Sequence, residues 1–195
     1  MIIKIAHRIL NLEDYYKLPK KVGLEFDLHA YGDQLVVSHD AFCNGIKFKE
    51  YISKVKDRFL AINIKEEGIE ERVFDILAKE GCEKFFLFDV SVPQIFRLGK
   101  LYSKHFAFRL SQIEQINFKY CREYADYIWI DTFDGSFWLN KDLILELKNL
   151  SFKLCFVSPE LHNPPLGDSN AFNKKLNTYK SLLDNNDMVC TKYYK

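Results

Sequence analysis

The sequence has 195 residues, a length that predicts one domain, since domains average about 150 residues. Its 28 lysines and arginines nearly balance its 27 aspartates and glutamates, and the net charge of +1 argues against binding of nucleic acid or anionic membranes by bulk charge. Hydrophobic residues make up 48% and charged residues 28%, which excludes intrinsic disorder. We therefore predict a single domain over residues 1–195 and no nucleic-acid partner.

The sequence also indicates a cellular location. It has no run of the roughly 18 apolar residues that a membrane-spanning helix needs, so we expect no transmembrane segment. The apolar N-terminal run contains His7 and Arg8 and lacks a small-residue cleavage site, which favours a strand over a signal peptide. Five widely spaced cysteines without a CxxC motif are typical of buried thiols in a reducing compartment. We expect a cytoplasmic protein.

Short apolar runs rich in Ile, Val and Phe alternate with longer segments of helical period along the chain. Nearly continuous hydrophobic strands that alternate with helices are typical of a parallel sheet covered by helices. The predicted strands are 2–7, 23–29 with 34–39 as its extension, 59–65, 84–90, 105–110, 126–131, 152–157 and 188–192. The clearest helical stripes are 69–77, 113–124, 143–150 and 172–183, and a minimal first helix lies around 12–18.

Eight strand–helix units favour a closed (β/α)8 barrel, or TIM barrel. The alternative is a doubly wound open sheet, which usually needs only about five or six strands. A TIM barrel typically takes about 250 residues, and no helix is predicted after the last strand here. We therefore predict a compact α/β TIM barrel with trimmed helices and loops.

In such barrels the catalytic residues lie at the carboxyl ends of the strands. Nearly every predicted strand here ends in a polar or charged residue. Glu25 and Asp27 are two residues apart on one strand, so both side chains face the same way, and Asn63 with Lys65 repeats this spacing on the next strand. Two converging carboxylates repel each other, and a divalent cation between them removes that repulsion.

The first 65 residues resemble the glycerophosphodiester phosphodiesterase family, a branch of the phosphatidylinositol-specific phospholipase C-like barrels. The first strand of that family ends in His-Arg-Gly, and its second strand carries Glu-x-Asp. A short turn and an apolar run ending in His-Asp follow, and the third strand ends in Glu-x-Lys. The corresponding blocks in this sequence are His7-Arg8-Ile9, Glu25-Phe26-Asp27, His39-Asp40 and Asn63-Ile64-Lys65.

The resemblance implies a phosphoric diester hydrolase and assigns roles to the matching residues. His7 and His39 would be the general acid and base, a task that suits imidazoles because they titrate near neutrality. Cations would hold the phosphoryl oxygens, and two carboxylates would bind Mg²⁺ or Ca²⁺. These implied residues are Arg8 and Lys65 for phosphate, and Glu25 and Asp27 for the metal.

Other strand ends extend the predicted site. Arg109 and Lys192 are candidate phosphate ligands, although they could instead pair with acidic residues to neutralise the mouth of the barrel. Asn63 stands where the family has a metal-binding Glu. An uncharged amide oxygen can still bind a divalent cation, but the affinity for the cation should fall because the negative charge is lost. Asp89 on the next strand would compensate as a fourth ligand. His162, in a turn after the seventh predicted strand, is a weaker candidate for the same mouth.

We predict cleavage of a glycerophosphodiester or a related phosphodiester, including one linked to a glycan or lipid, with a divalent metal. One alternative is metal-independent transfer to a cyclic phosphate, as in phospholipase C, with Arg8 and Lys65 carrying the charge. Another is a degenerate barrel that only binds a phosphorylated ligand. The sequence leaves open the two alcohols, the metal and the oligomeric state.

Overall fold

A computed structural model describes residues 2–162 and 164–194. Eight of its strands are parallel and form a closed ring in the order β1-β2-β5-β6-β7-β8-β9-β10, with β10 back on β1. The ring closes between β6 and β7 through the isolated bridge of Leu87 with Phe106. The predicted TIM barrel is confirmed. The strands are β1 (Ile3–Ala6), β2 (Gly23–Tyr31), β3 (Gln34–Val37), β4 (Ile46–Lys47), β5 (Leu60–Ile64), β6 (Phe85–Phe88), β7 (Ala107–Leu110), β8 (Tyr127–Ile130), β9 (Lys153–Val157) and β10 (Met188–Thr191).

The two remaining strands form an antiparallel arm outside the ring. Strand β2 runs beyond its ring neighbours and turns at Gly32, whose φ of +57° suits a residue without a side chain. Strand β3 then pairs antiparallel with the end of β2, and β4 pairs antiparallel with β3. The predicted extension of the second strand is therefore the returning strand of a hairpin, and it leads the chain back toward the ring, where the Ser38 N–H donates to the Asp27 carbonyl at 3.2 Å just before His39.

Short helices follow most strands, as expected for a trimmed barrel. Helix α3 ends at Gly81 (φ +69°). The prediction of one helix over 113–124 is wrong in its first part: α5 is a single turn, because Ser111 and Glu114 bond each other in a local turn that competes with the helix. The helices are α1 (Leu12–Lys17), α2 (Phe48–Val55), α3 (Glu70–Glu80), α4 (Val92–Tyr102), α5 (Phe118–Cys121), α6 (Lys141–Asn149) and α7 (Ser169–Asn177).

No helix within the described residues has both the length and the apolarity that crossing a bilayer requires.

Alternation of side chains along the strands builds two hydrophobic layers. One lies between the ring and the helices and includes Phe26, Leu87 and Leu154. The other fills the ring itself. Because the period is two, residues two positions beyond the last interior apolar side chain also point inward, at the carboxyl end of the ring. The interior side chains are Ile5, Ala61, Phe86, Phe88, Ala107, Tyr127, Trp129, Cys155, Val157, Met188 and Cys190.

Candidate active site

A cavity of about 230 Å³ opens at the carboxyl end of the ring. The floor of the cavity is formed by the apolar interior side chains nearest to the carboxyl end of the ring. Its walls are formed by polar residues that follow on the same strands and also point inward. The lining residues are His7, Arg8, Glu25, Asn63, Phe88, Arg109, Trp129, Asp131, Val157, Leu161 and His162.

The end of β1 turns sharply as it reaches the cavity. Arg8 has a φ of 59°, and its backbone N–H donates to Glu25 Oε2 at 2.7 Å. The next backbone N–H, that of Ile9, donates to the Glu25 carbonyl at 2.9 Å. The left-handed residue is therefore Arg8, and Ile9 is buried with its own carbonyl accepting from Tyr51 Oη at 2.6 Å. This geometry accommodates isoleucine where the family pattern has glycine.

Two buried carboxylates lie side by side on β2. Glu25 is 1% exposed and Asp27 2% exposed. Lys65 Nζ lies 2.9 Å from Asp27 Oδ1, and Arg8 Nε lies 3.7 Å from Asp27 Oδ2. Asp27 is in register with Asn63 on β5. Asp27 Oδ2 and Asn63 Oδ1 are both buried and accept no hydrogen bond from any described residue.

The electrostatics of this group follow from its burial. Burial raises the pKa of Glu25 to about 8, and the neighbouring Asp27 charge acts in the same direction. Burial also lowers the pKa of His7 to about 4, and Arg8 adds to that effect. The His7 Nε2 is 3.6 Å from Glu25 Oε2, beyond a normal hydrogen bond. The free site thus disfavours the negative charge of Glu25, and a bound cation would stabilise it.

The donor set suits a hard divalent cation. Glu25, Asp27 and Asn63 present oxygen atoms from adjacent strands, and two of these oxygens are buried without a partner in the described structure. Oxygen ligands of this kind are those that Mg²⁺ and Ca²⁺ take. Within residues 2–162 and 164–194, however, no three His, Cys, Asp or Glu side chains converge as a metal-holding group. The third oxygen comes from an amide, which carries no charge.

Across the cavity, a second group of charges is already paired. Arg109 Nε donates to Asp89 Oδ1 at 3.0 Å, and Arg109 Nη1 donates to Asp131 Oδ2 at 3.3 Å. Asp89 has a φ of 58°. His162 Nε2 lies 3.0 Å from Asp131 Oδ1. This group fills the ends of β6, β7 and β8 and the turn after β9.

The structure brings most of the predicted site residues to the cavity. His7, Arg8, Glu25, Asn63 and Arg109 line it. The remaining predicted residues differ in their distance from it. Asp27 and Lys65 lie against the lining residues as an ion pair, and Asp89 is bonded to Arg109.

Two predicted residues are not among those that line the cavity, although both lie close enough to His7 for their charges to lower its pKa. His39 lies on the rim with its side chain 38% exposed, and its Nδ1 is 2.8 Å from Asp40 Oδ1. Lys192 Nζ donates to the backbone carbonyl of Glu160 at 3.4 Å. Neither belongs to the residues that line the cavity.

Asp131 was not among the predicted site residues and His162 was only a weaker candidate, yet both line the cavity. Asp131 was visible in the sequence as a polar strand end. His162 follows a short 3-10 turn after β9, and the only sequence signal for it was its place in a turn after a strand. The pair forms through a contact between residues 31 positions apart.

Comparison with known proteins supports the same class of barrel. Neither a protein-family model nor a curated protein matches the sequence. The fold is similar to that of a glycerophosphodiester phosphodiesterase from Agrobacterium tumefaciens str. C58, with a TM-score of 0.69, 13% identity and coverage of 97% of this chain and 96% of that chain. A glycerophosphodiester phosphodiesterase from Parabacteroides distasonis ATCC 8503 has a TM-score of 0.67 and 14% identity, with 98% of this chain and 92% of that chain covered.

The chain is thus a closed eight-stranded parallel barrel with a polar cavity at the carboxyl ends of its strands. Its fold is that of the glycerophosphodiester phosphodiesterases, over nearly the whole length of both proteins compared. The resemblance seen in the first 65 residues therefore extends, as a fold, across the chain.

Proposed function

We propose that the protein is an enzyme, a phosphoric diester hydrolase that cleaves a glycerophosphodiester or a related phosphodiester, including one linked to a glycan or lipid. One observation carries the proposal. A cavity on the glycerophosphodiester phosphodiesterase fold is lined by an imidazole, a guanidinium, a carboxylate and an amide at the positions of the family motifs, namely His7, Arg8, Glu25 and Asn63.

Cleavage of a phosphodiester needs two proton transfers, one from the attacking water and one to the leaving alkoxide. His7 lines the cavity and makes no hydrogen bond to a described residue, so its ring is available to a water or a substrate. The resemblance gives the second transfer to His39, which lies on the rim. Arg8 and Lys65 place two positive charges beside Asp27, where phosphoryl oxygens would need them.

The proposed cofactor is Mg²⁺ or Ca²⁺, held by the oxygens of Glu25, Asp27 and Asn63. When bound, such an ion supplies charge stabilisation to a phosphoryl oxygen. Asp89 stays a predicted ligand, and it would have to give up its bond to Arg109. Arg109 and Lys192 stay predicted phosphate ligands, and both already bond protein oxygens.

A metal-independent route to a cyclic phosphate is the second candidate. It is favoured by the same wall of the cavity, because Lys65 and Arg8 already lie 2.9 and 3.7 Å from the two oxygens of Asp27. Asn63 also brings no negative charge to attract a cation. In this route the two side-chain cations would carry the charge that a metal otherwise supplies.

Phosphorus NMR of the purified protein with a panel of glycerophosphodiesters tests the proposal. We expect release of a phosphomonoester that needs Mg²⁺ or Ca²⁺ and stops with chelator. In His7→Ala we expect turnover to fall by about 10²-fold to 10⁴-fold, the usual contribution of a general acid or base.

A matched control makes the result specific. His105→Ala removes an imidazole that bonds the Phe85 carbonyl just before β7, at the amino end of the ring, and it should retain full turnover. A cyclic phosphate formed in the presence of chelator would support the second candidate. Absence of turnover on the whole panel would contradict both and favour a barrel that only binds its ligand.

A further inference from the structure

The cavity contains a second imidazole, and it is not the one that the family motif supplies. His162 lines the cavity together with His7, whereas His39 does not. His162 is held at the end of β8, whereas His7 follows β1, and these two strands are separated by two strands on one side of the ring and by four on the other. The two imidazoles of the cavity therefore approach it from different walls.

The orientation of His162 is fixed by a buried carboxylate. Its Nε2 lies 3.0 Å from Asp131 Oδ1, and the same oxygen accepts from the backbone N–H of Thr132 at 2.8 Å. The other oxygen of Asp131 accepts from Arg109 at 3.3 Å. The ring of Phe133 packs edge-on against the imidazole, with 6.3 Å between centroids. His162 thus has a defined rotamer and a defined hydrogen-bonded nitrogen.

The second ring nitrogen of His162 is the reactive one. Nδ1 makes no hydrogen bond to a described residue, and the side chain is 22% exposed at the cavity. A carboxylate that binds one nitrogen of an imidazole fixes the tautomer and stabilises the imidazolium form when a proton is taken up at the other nitrogen. Asp131 is placed to do both for His162.

We propose that His162, oriented by Asp131, is the general acid of this enzyme and protonates the leaving alcohol inside the cavity. The proposal rests on the proposed hydrolysis. Water forms the new P–O bond and loses its proton to His7, the P–O bond to the alcohol breaks, and the alcohol oxygen takes the Nδ1 proton of His162. Products are one alcohol and one phosphomonoester, and proton exchange with solvent restores both imidazoles.

Two substrates separate this role from a structural one. Both are diesters of the same alcohol, one with a methyl ester as leaving group and the other with a 4-nitrophenyl ester, whose leaving phenoxide needs no proton. In His162→Asn we expect turnover of the methyl diester to fall by about 10²-fold or more and turnover of the nitrophenyl diester to fall less than about tenfold. Asp131→Asn should show the same selectivity with a smaller loss, since it acts through His162.

Three comparisons decide the outcome. Equal losses on both substrates in His162→Asn would overturn the assignment, as would a leaving-group-selective loss in His39→Asn without one in His162→Asn. His105→Asn, far from the cavity, should leave both rates unchanged. Thermal unfolding of each variant confirms that it is folded. If the wild-type protein cleaves neither diester nor any member of the wider panel, the proposed function itself has failed, and the role of His162 fails with it.

Discussion

The two walls of the cavity differ in how their charges are satisfied. On the wall formed by β1, β2 and β5, buried oxygens of Asp27 and Asn63 accept no hydrogen bond from a described residue, and the His7 ring makes none either. On the wall formed by β6 to β9, Arg109 joins two carboxylates, and one of these holds His162. The first wall has buried oxygens without hydrogen bonds that a ligand can bind, whereas the charged groups of the second wall already hydrogen-bond one another.

This difference assigns different physical tasks to the walls. Buried oxygen atoms without a hydrogen bond are unfavourable unless a ligand satisfies them, so the first wall favours binding of a cation. A network whose members bond one another is rigid, so the second wall holds one imidazole in place. Family motifs identify the first wall; for the second, the sequence offered separate candidate residues, and the structure shows how they are joined.

The largest predicted effect concerns the stability of the second wall. Arg109→Met leaves Asp89 and Asp131 facing each other without a cation, and we expect the free energy of unfolding to fall by about 2–4 kcal/mol. Arg97→Met is the matched control. Its partner Glu71 is exposed, so the loss should stay below about 1 kcal/mol. Urea denaturation measures both, and equal losses would show that the pairing of the second wall is not important for stability.

The next effect concerns the first wall. Asn63→Glu adds a third carboxylate beside Glu25 and Asp27, and because affinity for divalent cations grows with ligand charge, we expect binding of Mg²⁺ or Ca²⁺ to tighten by about tenfold. Asn63→Gln keeps the size of glutamate without the charge and should not tighten it. Titration calorimetry gives both affinities. Unchanged affinity in Asn63→Glu would mean that no cation binds between these strands.

The smallest predicted effect concerns the cavity floor between the two walls and whether a reagent can reach the cysteines buried there. Cys155 and Cys190 lie fully buried beneath the cavity, and burial raises the pKa of both thiols. Burial also raises the pKa of Cys82 to about 11, so at pH 8 it is almost entirely protonated and unreactive. Only Cys43 is exposed. We expect one iodoacetamide adduct per native chain by mass spectrometry and five in denaturant; rapid labelling of Cys155 would show a permeable floor.

Much of the fold was predictable because its signals are local. Continuous apolar runs and helical stripes set the strand–helix order, and the predicted stripe over 69–77 lies within helix α3 and the residue before it. Two errors came from competing local interactions. The Ser111–Glu114 turn replaced a predicted helical turn, and the turn at Gly32 made 34–39 an antiparallel partner of β2 instead of its extension.

The candidate site was predictable only where one short segment carries the pattern. Glu25 and Asp27 lie on one strand, so their spacing alone indicated that they converge. The Asp89–Arg109 and Asp131–His162 contacts join residues 20 and 31 positions apart, and they depend on the left-handed backbone of Asp89 and on a turn after β9. The sequence indicated that Arg109 could pair with acidic residues, whereas the Asp131–His162 contact could not be read from residue type and spacing.

Strands β6 and β7 are held together differently from the other neighbouring strands of the barrel. In the described structure, backbone pairing between these two strands is limited to the bridge of Leu87 with Phe106, and side-chain contacts hold this part of the barrel together. Aromatic rings of β6 reach over β7 to stack on rings of β8: Phe86 on Tyr127 at 4.7 Å and Phe88 on Trp129 at 3.9 Å. The small Ala107 leaves room for these stacks.

At the carboxyl end of the barrel, the Asp89–Arg109 ion pair joins the ends of β6 and β7. The closure of the barrel therefore depends largely on ring stacking and one ion pair. This junction lies directly beside the proposed general acid.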